Sequence, residues 1–242
     1  MAASTPPHPR PRPARRSAPD RARSRPRLKS DQAFERLRAF LLDGTLRAGE
    51  FVSQQDLVER MRMPMAPVRE AVKRAAADGL VEVLPQRGVR VMEATPRRIL
   101  DGFGLRLLVD REGARKHARR GLAPGLAELK RRHEAILAEC RRGLTEEAIA
   151  KSYEVDWALH AALAGAVDNE LVADLYERNR ERLTILQRTR PMLPDRVVPS
   201  LTEHLGILKA IEARDPERAD AAVAEHARQT LRWWGFLNAS FD

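Results

Sequence analysis

The break at Arg214-Asp215-Pro216-Glu217 constrains this chain more than any other feature. Asp215 suits a helix N-cap and Pro216 the first helical position, so one helix ends just before them and another begins. His204 stands ten residues before Arg214 and His226 twelve after it. At about 1.5 Å of rise per residue, an antiparallel pair folded here sets both imidazoles at nearly the same height. A further helical segment, 146–166, carries Asp156 and His160 at i and i+4, which emerge from one face. Three helices are therefore expected to bring Asp156, His160, His204 and His226 to one point.

Three imidazoles and a carboxylate suit zinc, nickel, manganese or iron, and they leave room for exogenous ligands on a five- or six-coordinate ion. With a divalent cation, one carboxylate and neutral imidazoles, such a site keeps net positive charge, and an anionic metabolite would complete its shell. The bland alternative is that three of the six histidines fall on helices by chance. The i,i+4 pair together with the mirrored heights outweighs it.

The rest of this half reads as long helical segments at about 96–120, 124–142, 145–167, 169–190, 200–213 and 216–238, with no strand pattern between them. Thr95-Pro96 looks like the cap and first residue of the first, and Gly102 and Gly104 are candidate breaks in it. Short links between long helices imply an antiparallel all-α bundle with its site inside. Arg106 lies one turn before Asp110 and could hold a carboxylate in a bidentate pair.

Residues 30–92 read differently. Ser30 can cap a helix with an apolar stripe at Ala33, Phe34, Leu37, Phe40 and Leu41 that ends before Gly44, and 44–49 reads as a loop. Ser53 with Asp56 resembles a capping box opening a short helix. After Arg62 to Pro64 a third helix runs from about Met65 to Asp78 and is closed by Gly79. On it Val68, Ala71, Val72 and Ala75 form the apolar face, which leaves Ala66, Arg69, Glu70 and Lys73 pointing the other way. Leu80 to Leu84 and Val89 to Met92 read as two strands joined at Pro85-Gln86-Arg87-Gly88. The order makes a winged helix-turn-helix, with Arg87 and Arg90 able to reach phosphate or a minor groove. The bland alternative is a three-helix protein-interaction domain.

The net charge of +10 concentrates at the start of the chain. Residues 1–29 hold eight arginines (10, 12, 15, 16, 21, 23, 25 and 27) and Lys29 against Asp20 alone, with seven prolines before Leu28. Such a tail is expected to be disordered and could add phosphate contacts beside a DNA-binding module. The expected organisation is this tail, a winged module at 30–92, a linker at 93–95 and a helical domain at 96–242, a mainly α protein. Cys140 is the only cysteine, so no intramolecular disulfide forms. No apolar run approaches the roughly 18–20 residues that cross a bilayer, and no secretory h-region opens the chain. No membrane association and a cytoplasmic location are expected.

Phe34 to Leu46, Ala48-Gly49-Glu50, Leu57, Pro67-Val68-Arg69-Glu70-Ala71-Val72, Asp78-Gly79-Leu80-Val81-Glu82-Val83 and Arg87-Gly88 resemble the N-terminal module of GntR-family transcriptional regulators. Asp156-x-x-x-His160, Asn169, Glu203-His204, Ala210-Ile211, Asp215-Pro216-Glu217-x-Ala219 and His226 resemble the all-helical ligand-binding domain of the FadR-like subgroup called FCD. The resemblance implies a homodimer that binds a palindromic double-stranded operator and is released or repositioned by a small carboxylate effector. It places operator contacts at Gln55, Met65, Ala66, Arg69, Lys73, Arg87 and Gly88, and effector contacts at Arg106 and Asn169, although Asn169 also suits a helix cap. Pro64, Met65 and Ala66 depart from the family, which commonly has Ser or Thr, then Arg, then Thr here. Methionine cannot make arginine's bidentate contact with guanine, so a different operator is expected.

Two other readings of the same residues are a metal-dependent hydrolase and a DNA-binding protein with a purely structural metal. A hydrolase needs a general acid or base near metal-bound water, and no HExxH-like arrangement appears. The winged module would also go unexplained by it.

Overall fold

A computed structural model describes residues 28–190 and 194–237. The arginine-rich segment at 1–27 lies outside them, and so does residue 238 at the expected end of the last helix.

The first module packs three helices, α1 (Lys29–Leu42), α2 (Gln54–Met61) and α3 (Met65–Ala77), on a three-stranded antiparallel sheet. Ser53 accepts from the Asp56 N–H while Asp56 accepts from the Ser53 N–H, a reciprocal pair that satisfies two orphan donors at the start of α2. Arg62, at φ +48°, then turns the chain tightly into α3. Ser30 does not cap α1, whose N-cap is Leu28 without a side-chain bond. The sheet runs β1 (Phe51–Val52), β3 (Gly88–Val91), β2 (Val81–Leu84), with Val81 opposite Val91 and Phe51 opposite Arg90. β1 is an addition to the two strands expected. A two-residue strand carries no periodicity, so the sequence pattern could not show it.

The second module is a bundle of six helices among the described residues: α4 (Pro96–Arg120), α5 (Pro124–Arg142), α6 (Glu146–Gly165), α7 (Glu170–Thr189), α8 (Pro194–Glu212) and α9 (Pro216–Trp233). Gly102 and Gly104 do not break α4. Gly102 instead leaves room for Leu183, and its carbonyl accepts from Asn179 Nδ2 at 2.9 Å. α8 begins at Pro194 rather than near Ser200 and runs through Pro199. Arg196 pairs in bidentate fashion with Glu203 of the same helix at 2.8 and 2.6 Å and donates to Thr230 Oγ1 at 3.3 Å, and Val197 and Leu201 are buried, so contacts within α8 and across to its neighbours hold the turn that proline weakens. α9 stops at Trp233, where Gly235 at φ +94° follows.

At Gly113, α4 and α6 cross almost backbone to backbone, since a Cβ there would lie 1.9 Å from the Leu163 carbonyl oxygen. Asp110 is nearly one turn before Gly113 and His160 nearly one turn before Leu163, so this crossing sets the two side chains against each other. The two modules share apolar packing: Phe34, Leu37 and Leu80 belong to one buried cluster with Phe103, Leu183, Leu231 and Trp234. Around it Arg182 Nε donates to the Asp78 carbonyl at 2.9 Å, Arg38 pairs with Glu181 at 2.5 Å, and Arg188 donates to the Leu42 carbonyl. Among the described residues no helix is long and apolar enough to cross a membrane.

Candidate metal centre and nucleic-acid face

The break between α8 and α9 forms as the sequence requires: Arg214 takes φ +55°, and the Asp215 carboxylate accepts from the Arg218 N–H at 2.9 Å. His204 and His226 consequently face each other across an antiparallel pair, and α6 brings Asp156 and His160 against them. One ligand atom from each of the four lies within 4.8 Å of all the others, and all four residues are buried. His204 Nε2 is 3.3 Å from His226 Nε2 and 3.4 Å from Asp156 Oδ1, which is 3.9 Å from His160 Nε2. Bonds of about 2.1 Å at angles of 90–109° put donor atoms about 3.0–3.4 Å apart, and two of these separations already lie there.

The ring nitrogens facing away from this point have partners of their own. His160 Nδ1 lies 2.7 Å from Asp110 Oδ2, and His226 Nδ1 lies 2.7 Å from Glu203 Oε2. An ionised carboxylate only accepts, so with Asp110 and Glu203 ionised each ring carries its hydrogen on Nδ1 and turns a bare Nε2 inward. Burial holds His160 well below the usual imidazole pKa, with the Arg106 charge adding to it. Burial does the same to His204, with the neighbouring imidazoles adding to it. His160 Nε2 is buried without any hydrogen-bond partner. Converging lone pairs that repel one another without a proton between them suit a cation, and the residues present therefore fit a divalent transition ion.

Asp110 is pushed up to about 7 by burial, against the lowering effect of Arg106. Burial alone would raise Glu203, but hydrogen bonds from His226 and Arg196 and their charges hold it below the usual carboxylate range. A small cavity of about 30 Å³ opens beside the cluster, lined among others by Asp156, His226, Arg106, Arg196, Ser200 and Trp233. Arg106 is 4 % exposed and its Nε is 3.8 Å from Asp110, so a buried cation adjoins the inward-facing donors. Asn169 is not brought to this cavity. It is exposed, and its side-chain oxygen accepts from the Leu171 and Val172 N–H groups as the N-cap of α7. Sequence reasoning missed His133, whose Nε2 is 3.3 Å from His204 Nδ1, and the lining role of Arg196 and Trp233. A histidine on the buried stripe of α5 was the only available signal for the first.

The winged module presents Ala66, Arg69 and Lys73 on the exposed side of α3, opposite buried Val68, Ala71, Val72 and Ala75. Arg69 Nε donates to Gln54 at 3.2 Å, Lys73 pairs with Glu70, and Gln55 donates to Glu59 at 3.1 Å. Met65 opens α3 half-buried, and Arg87 is exposed at the hairpin tip. Gly88 serves the sheet: at φ +121°, a Cβ would come within 2.6 Å of the Val52 carbonyl. Arg90 is occupied, paired with Glu82 and Glu93 at 2.8 Å each.

A three-helix winged module with an exposed basic helix face, joined to a helical bundle around a histidine cluster, defines the class of two-module helix-turn-helix transcriptional regulators. Residues 29–91 match the model described as "Bacterial regulatory proteins, gntR family", and residues 101–229 match the FCD domain. The chain belongs to the GntR family, in its FCD subgroup. It is 26% identical over 204 residues to the HTH-type transcriptional repressor RspR of Escherichia coli K12, covering 83% of this chain and 86% of that protein. It is 30% identical over 199 residues to the HTH-type transcriptional regulator LutR of Bacillus subtilis 168, covering 76% and 91%. The fold matches E. coli McbR/YncC with a TM-score of 0.66 at 21% identity, over 87% of this chain and 99% of that one. A GntR regulator from Rhodococcus sp. RHA1 gives 0.67 at 22%, over 86% and 98%.

Proposed function

We propose that this regulator binds a palindromic operator as a homodimer and that a small carboxylate effector, bound at a divalent metal in the helical domain, sets its affinity for DNA. Asp156, His160, His204 and His226 would hold the metal, with Arg106 as the second anchor of the effector. The carrying observation is the set of inward-facing donors within 4.8 Å of one another beside a cavity that contains a buried arginine. The ion would supply a fixed positive charge with open positions, and Arg106 would orient the carboxylate. Arg69, Lys73, Arg87, Gln55, Met65 and Ala66 are the operator contacts of this reading, with Gly88 shaping the wing that carries Arg87. RspR is named a repressor, which favours repression here.

α9 gives a route from effector to DNA, because it carries His226 at the cluster and Leu231 in the core shared with the winged module. A ligand shifts such an equilibrium only by its differential affinity for the two arrangements. Metal analysis of the purified protein should find about one transition ion per chain. Selection from a random DNA pool, repeated with candidate carboxylic acids, should return a palindrome whose recovery depends on one acid. A protein with no bound ion, or recovery indifferent to every acid, refutes the proposal.

A further inference from the structure

We propose that His133 sets the proton of His204, so that His204 turns a bare Nε2 toward Asp156, His160 and His226; His133 is a positioning residue for the cation site. The inference rests on the metal reading above and adds to it a residue from α5, a helix that supplies none of the four ligands. His133 is fully buried and its Nδ1 lies 2.8 Å from the Leu129 carbonyl oxygen. A carbonyl can only accept, so Nδ1 carries the hydrogen. In a neutral ring with its hydrogen on Nδ1, Nε2 is an acceptor. That atom is 3.3 Å from His204 Nδ1, which must then donate. His204 therefore has no hydrogen on Nε2, the atom 3.4 Å from Asp156 Oδ1. In the other tautomer an N–H would occupy the place of the cation.

His160 and His226 are fixed by carboxylates, whereas His204 is fixed by a neutral ring that brings no charge. The relay orients the third ligand while keeping the site positive enough to attract an anion.

Zinc titration of the metal-stripped full-length protein and three variants tests the relay. Asn at 133 can keep the contact with Leu129 but cannot reach His204, whereas Gln places an acceptor where Nε2 stands. His133→Asn and His133→Leu should weaken zinc binding about 10- to 100-fold, and His133→Gln should restore most of the loss. The cobalt(II) absorption spectrum should change in the Asn and Leu variants and return with Gln. If His133→Leu does not fold, the Asn and Gln pair carries the comparison. Unchanged affinity in His133→Asn, or equal loss in Asn and Gln, overturns the relay while the metal reading stands. A wild-type protein that binds no zinc overturns both.

Discussion

Asp156 is the one oxygen donor among four inward-facing ligand atoms, and its removal leaves three neutral rings around the same point. Asp156→Ala should therefore weaken metal binding, checked by titration of the metal-stripped protein, while the circular dichroism of a protein this helical stays near wild type. The buried titratable groups give the metal-stripped protein a characteristic pH dependence. His160 and His204 are held below 6.5, so the unfolded chain takes up protons that the folded one refuses as pH falls under that value, and stability drops. Asp110 works the other way: the folded state keeps a proton up to about 7 that the unfolded chain releases from 3.8, so stability falls as pH rises across that span. Two histidines outweigh one aspartate, at about 1.4 kcal/mol per proton per pH unit. Melting temperature should rise as pH climbs toward 6.5 and level off near 7. A steady fall across the same range would contradict the assignment. The four ligands were legible in the sequence because i,i+4 spacing and mirrored heights are local geometry. Their outer partners were not, because Asp110, His133 and Glu203 meet the rings across separations of 50, 71 and 23 residues.

Helices were legible where caps and breakers act locally, as at Ser53 with Asp56 and at Asp215-Pro216. They were misplaced where tertiary contacts override those signals. The helix reads as starting near Ser200, yet the Arg196 contact with Thr230 of α9 and buried Val197 carry α8 back to Pro194. Gly102 and Gly104 read as breaks, although close packing of a neighbouring helix explains Gly102. Gly113 makes the same point with a measurable consequence. Gly113→Ala would drive a methyl into the Leu163 backbone and should cost about 3 kcal/mol or more, a fall in Tm of about 6 °C or more. Gly125→Ala in α5, where nothing lies within 4 Å of the new Cβ, should be neutral or gain up to about 1 kcal/mol. Calorimetry on both variants separates the helix crossing from ordinary glycine effects; equal stability would rule out a close approach at Gly113. The crossing also sets Asp110 against His160, so Gly113→Ala should weaken metal binding as well.

The winged module and the bundle are joined by apolar packing ringed with arginines. Arg182 holds the carbonyl at the end of α3, the helix with the exposed basic face, while Arg38 and Glu181 tie α1 to α7. Coupling between effector and DNA requires an element that both sites bias, and this seam joins both modules. Arg182→Ala should leave metal affinity unchanged and reduce the effector-dependent change in operator affinity several-fold, measured by titrations with and without the acid. Full coupling in that variant would place the route elsewhere. The order of the two modules was readable from the chain, but the seam was not, since it joins residues more than a hundred positions apart. The account as a whole is tested most directly by the operator affinity of the metal-loaded protein, with and without the selected carboxylate, in wild type and Asp156→Ala. A shift of about 5- to 150-fold in wild type that vanishes in Asp156→Ala and after metal removal is the predicted result. The same shift in all three proteins would contradict it.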